Sequence, residues 1–129
     1  MDILLQLFNK KELDRIISKC EDLKKLKKED ISSIINYFHE LNLDDTYIRF
    51  IIMNNPSFLT RSSDKIKELI DALQAYGVND IDLCIYLYPE ILNKSVYEID
   101  NFYIKKHIEG LDNEHISLLL ETEPSLIDK

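Results

Sequence analysis

Asp112-Asn113-Glu114-His115 is the densest grouping of chemically capable side chains in the sequence. Carboxylates beside an imidazole can hold a metal or pass a proton. The same residues open a helical pattern, and acids are favoured in a first helical turn without any chemistry. His39 and His107 each stand three residues before a helix-ending residue, Asn42 and Gly110. A histidine there interacts well with the negative end of the helix dipole. No His-x-x-x-His or Cys-x-x-Cys spacing occurs, so no zinc site is expected. Cys20 and Cys84 lie on or beside apolar helical faces and read as reduced packing thiols. Two glycines cannot build a phosphate loop, and there is no Gly-x-Ser-x-Gly elbow. The expectation is a protein with no catalytic residues, no cofactor and no metal.

Binding is then carried by charge and aromatic surface. Lys24, Lys25, Lys27 and Lys28, with Lys10, Lys11 and Arg15 nearby, form the one basic cluster and the candidate contact for phosphate. Glu21, Asp22, Glu29 and Asp30 flank and neutralise it. Residues 1–30 hold eight Lys/Arg and seven Asp/Glu, and the remainder holds eight against seventeen. An acidic body repels nucleic-acid phosphates and suits a basic protein partner. Tyr86, Tyr88, Asp112, Glu114, Glu121 and Glu123 are the candidate protein-interface residues, since tyrosine brings apolar area with a polar tip.

The elements that position these residues follow a grid. Pro56, Pro89 and Pro124 are spaced 33 and 35 residues apart, and Gly77 and Gly110 each follow a proline by 21. Punctuation with a period of this size marks a solenoid. Ile48, Ile51 and Ile52 match Ile81, Cys84 and Ile85, and then Ile116, Leu119 and Leu120, as one face of the first helix of each unit. Pro-x-apolar-apolar follows: Phe58-Leu59, Ile91-Leu92 and Leu126-Ile127. The second helix carries Ile31, Ile34 and Ile35, then Ile66, Leu69 and Ile70, then Ile99, Phe102 and Tyr103. Eleven residues past each starting isoleucine come Asn42, Gly77 and Gly110, residue types that accept a left-handed cap. Asp44, Asp112 and Asn79 or Asp80 are natural N-caps, and Ser95 with Glu98 has the capping-box pattern. Each first helix should stop one or two residues short of its proline. A degenerate copy lies upstream, with Leu13, Ile16 and Ile17 in phase and Glu21 in the place of proline.

The predicted fold is all-α, an α-solenoid of about three repeats with a worn N-terminal capping repeat. Helices are expected near 2–8, 12–20, 30–41, 45–54, 64–76, 80–87, 97–109 and 114–122, with tight turns between. The chain reads as one helical-repeat domain over 1–129: a cap over 1–30 and repeats over about 31–62, 63–95 and 96–129. No run reaches the roughly 18 apolar residues of a membrane span, so no membrane role is expected. The N-terminus, with Asp2 and no basic flank, makes a poor signal peptide or presequence. Plentiful Ile, Lys and Asn point to an AT-rich genome, such as a low-GC bacterium or its phage, and the reduced cysteines to a cytoplasmic protein.

Alternating helices ending in Pro-x-apolar-apolar, with Gly opening the next unit, resemble the mTERF repeat of the mitochondrial transcription termination factor family. The resemblance is carried by Ile48 to Leu59, Gly77 to Leu92 and Gly110 to Ile127 with their intervening helices. It implies repeats of two α-helices and a short 3₁₀ turn, and in the family such a stack binds nucleic acid along a basic concave face. This chain is short and acidic, and no Lys/Arg stripe recurs at one repeat position. The expected function is a non-enzymatic module docking on a basic partner protein, as a phage or mobile-element inhibitor of an anti-CRISPR-like kind would. The alternative is an mTERF-like nucleic-acid-binding regulator using Lys24–Lys28.

Overall fold

A computed structural model describes residues 2–129. The chain divides into two compact units, Met1–Ser63 and Asp64–Lys129. What the sequence presents as one domain over 1–129 is therefore described as two units. The first holds the cap and one repeat, and the second holds two repeats.

In the first unit, α1 (Asp2–Leu5) is followed by α2 (Lys10–Lys19), α3 (Lys28–Glu40) and α4 (Asp45–Asn54). The second unit holds α5 (Ser63–Tyr76), whose first residue lies at the boundary, then α6 (Ile81–Leu87), α7 (Val96–Ile108) and α8 (Asn113–Thr122). Short 3₁₀ helices over Glu21–Lys25, Pro56–Thr60, Pro89–Asn93 and Pro124–Asp128 follow α2, α4, α6 and α8. The described residues contain no strand.

Each proline does more than stop a helix. It occupies the first position of a 3₁₀ turn, where its missing amide is not needed. The residue before it leaves the helical region: Asn55, Tyr88 and Glu123 have φ of −149°, −149° and −139°. Cys20, ahead of Glu21, takes the same φ of −149° without a proline. Glu21 thus stands in a true repeat position, and the repeat geometry there is held by packing: Leu23 is buried on the turn, as Phe58 and Ile91 are.

The second helices end in a shared motif. Asn42, Gly77 and Gly110 have φ of 65°, 111° and 99°. The amides that follow reach back across the turn, Leu43 to the Phe38 carbonyl, Val78 to Leu73 and Leu111 to Lys106. This is the Schellman arrangement, formed three times. Asp44, Asp80 and Asp112 cap the next helices through the amides of Tyr47, Leu83 and His115. Ser95 accepts from the Glu98 amide at 3.2 Å.

The apolar grid is the core. Ile31, Ile34, Ile48, Ile51, Ile52, Ile66, Leu69, Ile70, Cys84, Ile85 and Ile99 are all at or within 2 % exposure. Each such side chain removed from water contributes about 1.5–3 kcal/mol. Phe38 and Phe58 meet in the first unit with ring centres 5.7 Å apart. The last repeat departs from the grid: Leu119, Leu126 and Ile127 are only half-buried. Predicted helix 2–8 is shortened to Asp2–Leu5. The Leu7 and Phe8 amides both turn back to the Leu4 carbonyl, burying Phe8, and Asn9 then caps α2 in a reciprocal box with Glu12. Burial pushes the Cys84 thiol up to about 12, as a packing cysteine requires, and Cys20 is half-buried.

Candidate functional site

All of the net charge of −8 belongs to the second unit. Residues 1–63 hold ten Lys/Arg and ten Asp/Glu, and residues 64–129 hold six and fourteen. The sequence-predicted basic residues lie in the balanced unit. Lys10, Lys11 and Arg15 are exposed on α2, Lys24 and Lys25 on the 3₁₀ turn, and Lys27 and Lys28 at the start of α3. They are thus dispersed over three elements. Glu21, Asp22, Glu29 and Asp30 are exposed among them, and the Lys25 ammonium lies 3.9 Å from Asp22. Arg49 on α4 is held by Glu12 at 2.6 Å and lies over the Phe8 ring.

In the second unit α6 packs against α8. Their outward surface carries Leu83, Tyr86 and Leu87 on α6 and Leu118 on α8, between 38 % and 56 % exposed. Leu83, Tyr86 and Leu87 fall at i, i+3 and i+4, so one helix face presents all three. Asp80, Asp82, Asp112 and Glu114 are exposed on the same two helices and their caps. A hydrogen bond with the Asp80 carboxyl, then partial burial and the charge of Asp80, hold the Asp82 carboxyl above its usual range. Two carboxylates crowded in this way make a favourable landing point for a cation.

Several predicted interface residues are already committed within the unit. Glu121 accepts the backbone amides of Asn79 and Asp80 at 2.7 and 2.8 Å, fixing the loop into α6. The Tyr88 hydroxyl donates to the Asp128 carboxylate, which also pairs with Lys94. Glu123 is exposed before Pro124 and holds the pre-proline conformation. Tyr86 and Glu114 remain on the exposed α6–α8 surface. Sequence reasoning missed Leu83, Leu87 and Leu118. The signal was present: Phe50, Leu83 and Leu118 occupy one repeat position, two residues after the first core isoleucine, and all three are apolar.

The histidines act as local staples. His39 Nε2 meets Asp45 Oδ1 at 2.8 Å, and His107 Nδ1 meets the Leu111 carbonyl at 2.8 Å, each reaching across the left-handed cap. His115 Nδ1 lies 2.6 Å from Asp112 Oδ1, the oxygen that also caps α8. The hydrogen bond and charge of Asp112 raise the imidazole above its ordinary 6.5, and the His115 amide and ring hold Asp112 below its ordinary 3.8. The imidazole's contribution is complete below about 6.5 and is lost as pH rises through the raised value. The carboxylate's contribution is complete above about 3.8 and is lost as pH falls. A proton NMR titration should therefore show His115 titrating above 6.5, and Asp112→Asn should move it back toward the ordinary value. Among the described residues no group of three or more His, Cys, Asp or Glu side chains gathers as metal ligands would. No helix among them is long and apolar enough to cross a membrane.

Comparison with known proteins agrees with the architecture. No curated protein and no solved structure matches the chain. A family model described as mTERF matches residues 3–128, nearly the whole length. Paired helices with a short 3₁₀ turn are what the repeat resemblance implied, and they recur here in register, with the left-handed caps that the Asn and Gly spacing predicted. The chain is an all-α helical-repeat protein and belongs to the mTERF family.

Proposed function

We propose that the protein is a non-enzymatic binding module whose acidic second unit docks on a basic partner protein. The observation that carries this reading is that the net charge of −8 falls in residues 64–129, where exposed Asp80, Asp82, Asp112 and Glu114 share two helices and their caps with exposed Leu83, Tyr86, Leu87 and Leu118. Charge of one sign speeds association with a basic surface, and the apolar side chains supply area to bury once contact is made. An inhibitor that occupies the basic groove of a nucleic-acid-handling enzyme in the cytoplasm of a bacterial or phage-infected cell is the form of partner interaction that this charge fits.

Membership of the family favours a second reading, a nucleic-acid-binding regulator that uses Lys24, Lys25, Lys27 and Lys28, all of them exposed. The two separate by mutation. Leu83→Glu with Tyr86→Ala, or Asp82→Lys with Glu114→Lys, should weaken a captured basic protein by roughly tenfold or more, and raised salt should weaken it further. Affinity measured by interferometry against the identified partner reads this out. A complex indifferent to both pairs and to salt would show that the partner does not dock on the α6–α8 surface.

A further inference from the structure

The outward face of α7 breaks the pattern of its counterparts. Opposite its buried side, with Ile99, Phe102 and Tyr103, α7 presents Tyr97, Ile104 and Ile108 at 72 %, 56 % and 82 % exposure. At the same repeat positions α3 and its N-terminal turn carry Glu29, Asn36 and Glu40, and α5 carries Asp64, Asp71 and Ala75. Five of those six residues are polar, so the position is a solvent face in two copies and an apolar stripe in the third. Tyr97, Asn101, Ile104 and Ile108 follow at i, i+4, i+7 and i+11, which aligns them along the helix.

We propose that α7 is a self-association surface on which a second copy of this chain packs its own α7, antiparallel, about a two-fold axis. The charges beside the stripe select this occupant and orientation. Glu98 near the start of α7 and Lys105 near its end are exposed along the same flank, seven residues apart. Asp100 and His107 lie along the opposite flank. A two-fold antiparallel pairing brings identical flanks together with their directions reversed, so each Glu98 faces the partner copy's Lys105. A parallel two-fold pairing sets Glu98 beside the partner copy's Asp100, like against like. The stripe is thus self-complementary in one direction only. Glu98 also lies 3.5 Å from Lys94, and a carboxylate can accept from both cations.

The contact is small against the roughly 800 Å² per partner of a standard interface. Net charge of −8 on each copy also opposes association. Dimerisation should therefore be weak, on the order of tens of micromolar or weaker, and should strengthen with salt. That is the opposite of the salt dependence expected for docking on a basic partner, so the two interactions can be told apart.

Sedimentation equilibrium of the full chain up to roughly millimolar concentration tests the proposal. The expected result is a monomer–dimer equilibrium that Ile104→Asp with Ile108→Glu abolishes, with an unchanged circular-dichroism melt because both positions are exposed. Lys105→Glu should weaken the dimer by roughly tenfold, and adding Glu98→Lys should restore it. A chain that stays monomeric throughout overturns the proposal, as does a dimer indifferent to the stripe substitutions. Failure of the double charge exchange to restore association overturns the antiparallel arrangement.

Discussion

Replacing Gly77 with valine should cost about 3 kcal/mol of stability, more than the same change at Gly110. Both glycines end helices in the left-handed region, at φ of 111° and 99°, where a β-branched residue is strained. Backbone strain alone accounts for about 1–2 kcal/mol at either site. The sites differ in what a side chain meets. A Cβ at Gly77 comes 3.3 Å from Ser117 Oγ, tighter than ordinary contact, whereas at Gly110 nothing lies within 4 Å. Valine's two methyl groups extend further into the Gly77 contact, against a serine that is itself held in place. Urea unfolding reads the order directly: Gly77→Val well below Gly110→Val, and Gly110→Val below the parent. If neither variant moves the midpoint, the left-handed caps are not what holds these turns.

Ser117→Ala should cost about 2–4 kcal/mol, a large effect for loss of one oxygen. Ser117 Oγ lies 2.7 Å from the Tyr103 hydroxyl and donates to the Tyr76 carbonyl at 2.9 Å. The Tyr103 hydroxyl is therefore the donor to Ser117. Tyr103 and Ser117 are 1 % and 2 % exposed, so alanine leaves the buried Tyr103 hydroxyl without its acceptor and the part-buried end carbonyl of α5 without its donor. The same burial pushes the Tyr103 phenol up to about 12, which keeps it neutral and a donor. Tyr76 stacks on Tyr103 at 3.8 Å and donates to Asp100 at 2.7 Å, so α5, α7 and α8 converge on this serine. Tyr103→Phe combined with Ser117→Ala should lose less than the sum of the single changes, because the double variant removes both members of the buried bond. Strict additivity in the unfolding free energies would contradict the bond.

The contrast between Gly77 and Ser117 shows what was legible in the chain. Gly77, Gly110 and Asn42 could be assigned as left-handed caps because backbone sterics leave few residue types there, and the repeat placed all three in register. Glu21 could be seen standing for a proline by the same comparison. Ser117 gave no signal, because its role depends on contacts 14 and 41 residues away that no local periodicity encodes. Glu121 is a similar case. It reads as one more surface acid, yet its carboxylate is spent on two loop amides about forty residues upstream. Leu83 and Leu118 shared an apolar repeat position with Phe50, but Asp82 and Leu87 were hidden for a different reason. Binding surfaces sit at positions the core pattern leaves unconstrained, and a single acid or leucine there carries no mark until its exposure is known.

If the second unit's acidic surface, and not the Lys24–Lys28 cluster, makes the protein's functional contact, the chain should not bind bare nucleic acid. A mobility-shift titration at low salt with single- and double-stranded DNA and RNA tests it most directly. Low salt favours any phosphate contact, so it gives the competing reading its best chance. The expected result is no retarded species at protein concentrations of about tens of micromolar, below the strength even of ordinary non-specific binding. A tight, saturable shift that disappears when Lys24, Lys25, Lys27 and Lys28 are changed to glutamate would contradict it.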